Sequence, residues 1–349
     1  MTIYDIAREA KVGIGTVSRV LNNHANVSPQ TREKVLGVAR RLNYIPNASA
    51  RSLARNRTNT LLAVIPFYTT FFFTEIINGV QEKLLEYDYD LLLLGVKHPD
   101  HVETSLKELG IKGKVDGVIF CSMILPPLFA EKCIEQKIPL VLIDTLHSEF
   151  DSVTVENFEG EYKATNHLIS LGHQKIGMLS ANLQSVPARA RCNGYKKAME
   201  DSGHLTESGW IRATTQQKLD GFTRESGYQL MNELLRLETN CPTGIVISSD
   251  IQAVGALAAL AEHKLRSPED IAIIGFDDIE LAQYIGLSTV RQPMFEMGYI
   301  AAERLIDRLS DSTRASSHTA FHPELIIRKT CGGKAVIKTE DIHYTNVVI

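Results

Sequence analysis

The chain has 349 residues, 44% hydrophobic and 22% charged, with a net charge of −4 and five cysteines. This is room for two or three globular domains, and the ordinary apolar and charged content excludes a disordered or fibrous protein. No run of about 20 apolar residues could span a bilayer, and "MTIYDIAREAKV" lacks the regions of a secretion signal, so a cytoplasmic location without a membrane partner is expected.

The odd, scattered cysteines (Cys121, Cys133, Cys192, Cys241, Cys331) fit a reducing compartment and form no metal-like pairs. Charge is uneven. Residues 1–58 hold ten Lys/Arg and three Asp/Glu, a net +7, which leaves −11 for the rest of a chain whose total is −4. A basic head on an acidic body points to a polyanionic partner, although a solvated charged face would look the same by charge alone.

In chain order, "IYDIAREA" places Ile6, Ala7 and Ala10 on one helical face, "KVG" interrupts, and "GTVSRVLN" resumes with Val17, Val20 and Leu21. Two short helices around a three- or four-residue turn form a helix-turn-helix. A third helix starts in "VSPQTREKVLGVARRLNY", with Ser28 as N-cap, Pro29 in the first position, and Val35, Ala39 and Leu42 at helical spacing. Three helices make a small core that turns the second one outward, presenting Ile14, Gly15, Thr16, Ser18, Arg19 and Asn22. Such a helix fits the major groove, where Arg19 can bridge guanine O6 and N7 while Thr16, Ser18 and Asn22 suit phosphate oxygens. A small bundle that binds protein is the alternative reading.

Next comes "NASARSLARNRTN", residues 47–59, in which Leu53 stands alone among Arg51, Arg55 and Arg57. The stretch suffices for one short helix, marginal by itself because isolated helices below about 12–15 residues rarely hold in water. Minor-groove proteins wedge a leucine between base steps with arginines beside it. Leu53 fits that role, and small Ala50 and Ala54 would let two such helices pack across a dyad. Otherwise Leu53 merely touches the neighbouring domain.

From Thr60, apolar strands alternate with amphipathic helices. The strands are "TLLAVIP", "DLLLLGV", "VDGVIFC", "PLVLID", "QKIGMLS", "TGIVISS" and "DIAIIGF"; the helices include "FTEIINGVQEKLLEY", "GEYKATNHLISLG", "RARCNGYKKAMEDSG" and "IQAVGALAALAEH". This is the pattern of buried parallel sheets, and its length implies two α/β lobes with a ligand cleft beyond the strand ends. Asp144, Asp250 and Asp277 follow strands, Phe72 and Phe73 start a helix, Arg191 begins another, and Phe222 lies in a loop. Carboxylates and a guanidinium can satisfy hydroxyls, and an aromatic face can cover the apolar side of a sugar. Asp250 could instead cap its helix, Asp144 could cap or pair locally, and Phe71–Phe73 could be core.

The first fifty-odd residues, "TIYDIAREAKVGIGTVSRVLNNHANVSPQTREKVLGVARRLNYIPNASARSL", resemble the DNA-binding head and hinge helix of the lactose/galactose repressor (LacI/GalR) family. In the body, "FFTEIINGV", "RCNGYKKAM", "SSDIQAVGAL" and "IIGFDD" resemble its effector-site segments. The resemblance implies an α/β protein with a three-helix head (1–46), a hinge helix and linker (47–59), and a two-lobe periplasmic-binding-protein-like body with parallel sheets (60–330). Lobe 1 would be about 60–159 and 292–322, and lobe 2 about 160–291 and 323–330. It further implies a homodimer on pseudo-palindromic double-stranded DNA, a repressor controlled by a small molecule, with a sugar or sugar derivative ranked before a purine. Ile14, Gly15 and Arg19 fall at the family's base-reading positions and Leu53 at its wedge. The chain departs from the pattern in having Gly13 for the usual capping serine, Lys11 where the turn often has glycine, and Gly15, which offers no side chain to a base. It also has "FYTTFF" without the usual Asn-Pro after the first body strand, and a shortened "YIGLSTV".

No P-loop, Gly-x-Gly-x-x-Gly, Gly-x-Ser-x-Gly or His/Cys metal spacing is present, so no enzyme activity, cofactor or metal is expected. The rival readings are a sugar-metabolising enzyme or a sugar-binding protein on the same α/β architecture. The tail "KTCGGKAVIKTEDIHYTNVVI" begins at Lys329 and extends past the resemblance, leaving 331–349 without an assigned role.

Overall fold

The structure, a computed structural model, describes residues 1–21, 26–44, 57–66, 70–96, 102–109, 111, 113–204, 206–207, 209–216, 218–333 and 344–348. They divide into two units, residues 1–59 with 112–116, and residues 60–111 with 117–349. In the first unit, α1 (Ile3–Ala10), α2 (Ile14–Leu21) and α3 (Pro29–Arg41) enclose a core of Ile6, Ala7, Ala10, Val17, Val20, Val35, Val38 and Ala39. Local chemistry sets their ends. The Thr2 amide donates to the Asp5 carboxylate (2.8 Å) at the start of α1. Ser28 accepts from the Thr31 amide (3.3 Å) with Pro29 opening α3. Between α1 and α2, Lys11 adopts the left-handed φ of 47° that the glycine-preferring turn demands, at the modest cost a Cβ brings there.

The second unit holds two sheets. The first runs β2 (Asp90–Gly95), β1 (Thr60–Ile65), β3 (Gly117–Cys121), β4 (Leu140–Ile143), β5 (Asp151–Val155), β11 (Ser317–Phe321) and β13 (Tyr344–Val348) across its width. All its pairings are parallel except β11–β13. The second runs β12 (Glu324–Ile326), β10 (Ser288–Arg291), β9 (Ala272–Asp277), β8 (Gly244–Ile247), β6 (Ile176–Ser180) and β7 (Ile211–Ala213), with only β12 antiparallel. Sequence order alternates these strands with α4 (Phe71–Leu84), α5 (Val102–Leu109), α6 (Pro127–Gln136), α7 (Asn157–Ser170), α8 (Val186–Asp201), α9 (Arg224–Leu235), α10 (Asp250–Glu262), α11 (Glu280–Tyr284) and α12 (Met294–Ser310). The chain passes between the sheets four times, from β5 to α7, from β10 to α12, from β11 to β12 and from β12 to β13.

The central strands are apolar on both faces because helices cover both. In β8, Ile245 and Ile247 join one core with Leu260 and Met231, while Val246 joins another with Phe276 and Tyr195. On the first sheet α4 crosses α12 closely enough that a Cβ on Gly79 would strike the Phe295 carbonyl, and one on Gly298 the Ile76 carbonyl. Glycine is required there by space. Among the described residues, no helix is long and apolar enough to cross a membrane.

All seven strands expected from apolar runs are present. The short strands β5, β7, β10, β11, β12 and β13 are additional; the more polar "DSVTV", "STVR" and "SHTAF" become strands through the neighbours that complete their ladders. Part of the tail also acquires a place, since residues 344–348 pair antiparallel with β11, Ser317 opposite Val348 and Phe321 opposite Tyr344.

Candidate functional site

In the head, Val17 and Val20 pin α2 to the core. Its other face carries Ile14, Gly15 and Arg19, all exposed, and half-buried Thr16 and Ser18. One turn apart, Gly15 and Arg19 are stacked so that a Cβ on Gly15 would lie 3.8 Å from the guanidinium. Gly13 is the cap residue, its carbonyl accepting from the Thr16 (2.8 Å) and Val17 (3.1 Å) amides. Asn22, Ala50 and Leu53 lie outside the described residues.

In the body, a cavity of about 470 Å³ opens at the carboxyl ends of both sheets. The first sheet contributes Phe72 and Phe73 from the start of α4, Ser122 after β3 and Asp144 after β4. From the second come Arg191 of α8, Asp277 at the end of β9 and the loop carrying Phe222. Helices entered from parallel strands point their N-termini here. Thr70, Thr223 and Ser249 cap α4, α9 and α10 and also line the cavity, so three positive helix ends face it.

Arg191 organises the floor. It is 3% exposed, its Nε donates to Asn157 Oδ1 (2.8 Å), and its Nη1 donates to the Ser248 carbonyl and lies 3.6 Å from Asp277 Oδ1. The guanidinium stacks on Phe276, 3.7 Å from the ring centroid, with Phe222 5.8 Å away. Asn157 Nδ2 donates to Asp144 Oδ1 (3.3 Å), and Ser122 donates to Asp144 Oδ2 (3.2 Å). Gln292 Nε2 donates to Asp277 Oδ1 (2.6 Å). A continuous chain, Asp144–Asn157–Arg191–Asp277, therefore joins residues of the two sheets. Burial raises both carboxyl groups above the ordinary aspartate range, opposed by Arg191.

Phe72, Phe73, Asp144, Arg191, Phe222 and Asp277 thus come together, Phe73 with most of its ring in the core. Asp250 does not join them. It is fully buried, accepting from the Ile279 amide (3.0 Å) and the Thr289 hydroxyl (2.6 Å), in space left by the missing side chain of Gly275. It does not cap α10 either, because Ser249 does. Burial, then repulsion from Asp277, raises its pKa.

Sequence reading missed Ser122, Asn157 and Gln292. Asn157 and Gln292 sit at crossings between the sheets, where a short polar strand gave no strand signal to follow. Backbone strain also collects in the cavity: Ser122, Asp144, Leu219, Asp220 and Asp277 have φ of 49°, 58°, 55°, 50° and 121°, each costing on the order of 1–3 kcal/mol, as is common where side chains are aimed at a ligand.

Comparison with known proteins bears on both parts. Residues 2–47 match the family described as bacterial regulatory proteins, lacI family, and residues 165–331 match a periplasmic binding protein-like domain. The HTH-type transcriptional repressor PurR of Haemophilus influenzae (strain PittEE) is 36% identical over 338 residues, 94% of this chain and 98% of that protein. Among solved structures, the lac repressor dimer bound to operator and the anti-inducer ONPF is similar with a TM-score of 0.80 at 27% identity, covering 95% of this chain and 99% of that one. The transcriptional regulator CelR–cellobiose complex has a TM-score of 0.70 at 28% identity over the same shares.

Proposed function

The chain belongs to the lacI family of bacterial regulatory proteins, and from that premise we propose that a sugar or sugar derivative, bound in the body cavity, controls its hold on DNA. As a family member it is a DNA-binding transcriptional repressor whose operator affinity responds to a small-molecule effector. The proposal concerns which effector and which residues.

The observation that carries it is the Asp144–Asn157–Arg191–Asp277 chain facing Phe72 and Phe222 in a cavity of about 470 Å³. Two carboxylates and a guanidinium offer both acceptors and donors to a ring of hydroxyls, and the phenyl faces cover its apolar side. The cellobiose in the related regulator's structure is in keeping with this. On the head, Ile14 and Arg19 read bases with Gly15 at the base-reading position between them, Thr16, Ser18 and Asn22 hold phosphates, and Leu53 with Ala50 enters the minor groove. The protein acts in the cytoplasm as a homodimer on a pseudo-palindromic operator, each head taking one half-site, and its role is regulatory without catalysis.

A thermal-shift screen of sugars, sugar phosphates and purines tests the effector class, because a ligand at 100 times its dissociation constant stabilises by about 2.7 kcal/mol. A sugar should raise the melting temperature of wild type and not of Arg191→Ala. A purine that stabilises wild type while every sugar fails would replace this reading.

A further inference from the structure

We propose that Asp116 is a positioning residue that clamps the end of the basic linker and so prepares it for DNA. Its carboxylate accepts three hydrogen bonds from two consecutive linker residues. Oδ1 accepts from the Thr58 amide (2.7 Å) and the Thr58 hydroxyl (2.8 Å), and Oδ2 accepts from the Asn59 amide (2.8 Å). Asn59 is left-handed, φ 52°, a conformation asparagine tolerates, and the clamp holds that kink.

The sheet explains why these segments meet. Asn59 runs directly into β1 and Asp116 directly into β3, and the two strands are neighbours with Leu61 opposite Gly117. Residues 112–116 accordingly group with residues 1–59. A carboxylate offers acceptor lone pairs on both oxygens. Asparagine could keep the Thr58 bonds but would present an N–H to the Asn59 amide.

This inference rests on the linker's part in DNA binding. A segment too short to be helical alone loses conformational entropy when it orders. Fixing its last two residues beforehand lessens that loss and strengthens binding without any contact to DNA. The consequence is specific: affinity falls when the clamp is cut, but the number of phosphates contacted does not change.

The test compares full-length wild type, Asp116→Asn and Asp116→Ala by trypsin cleavage after Arg57 and by binding to an operator duplex selected from a random pool by the wild-type protein. The alanine variant should be cleaved at least about tenfold faster and bind about fivefold or more weakly. The asparagine variant should be intermediate in both, the slope of log affinity against log salt should be that of wild type, and melting should shift by no more than a few degrees. Wild-type values in either readout, a changed salt slope, or equal losses in both variants would overturn the clamp. No effector is used, so an error in the effector class leaves this result untouched.

Discussion

Arg19 and Glu161 are the residues whose environments most sharply constrain what a substitution should do. Arg19 is exposed on α2 with its guanidinium over Gly15, so it is available to a base edge and contributes little to the head's own core. Arg19→Ala should cost about 1–3 kcal/mol of operator binding and relax preference at one base pair per half-site; equal weakening on operator and random duplex would make it a phosphate contact. Glu161 lies one turn beyond Asn157 in α7, 1% exposed, with neither carboxylate oxygen hydrogen-bonded among the described residues. Burial raises its pKa to about 8, opposed by the Arg191 charge. The folded protein keeps a proton that the unfolded chain releases above about 4.5, so this group lowers stability progressively between about pH 4.5 and 8 and fully above that. Glu161→Gln removes the titration, so urea denaturation should show a gain of roughly 1–3 kcal/mol at pH 7 and almost none at pH 4.5. An equal gain at both pH values would mean that packing, not ionisation, is responsible.

At the scale of elements, the helices were legible wherever a cap and an apolar face coincided, as with Ser28–Pro29 and Val35–Ala39 in α3. The strands that escaped were short or polar, because a ladder partner and not the strand itself decides them. β13 is such a case. Its five residues pair with β11, which would otherwise be the outer strand of the first sheet, while the chain before it is rooted in the second sheet's lobe by Thr330, whose amide and carbonyl bond to Gly286 and Ile273. Deleting residues 334–349 should therefore expose the β11 amides, seen as faster hydrogen exchange at 317–321, and leave exchange in β8 and β9 unchanged. Undiminished protection at 317–321 in the truncated chain would show that β13 does not cover that edge.

For the whole molecule, the cavity draws on both sheets while the residues proposed to read DNA belong to a separate unit, so control must pass as a coupling free energy. A ligand acts only through its differential affinity for two states, typically about 1–3 kcal/mol, and the effect is reciprocal. Operator DNA should change effector affinity by the same factor as effector changes operator affinity. Arg191→Ala should abolish the response and leave ligand-free operator binding nearly intact; a normal response in that mutant would move the site elsewhere. What the sequence determined by itself was local and periodic: the helix-turn-helix, the alternation of buried strands with helices, and most strand-end residues, because caps, turns and apolar repeats act over a few neighbours. Only the tertiary structure decided that Asp250 turns inward to Thr289 and Ile279 while Asp144 and Asp277 face the cavity. It alone joined Asn157 to Arg191 and brought Asp116 beside Thr58 and Asn59. Those outcomes depend on which strands become neighbours and how closely glycines let them pack, and no short window of sequence contains that information.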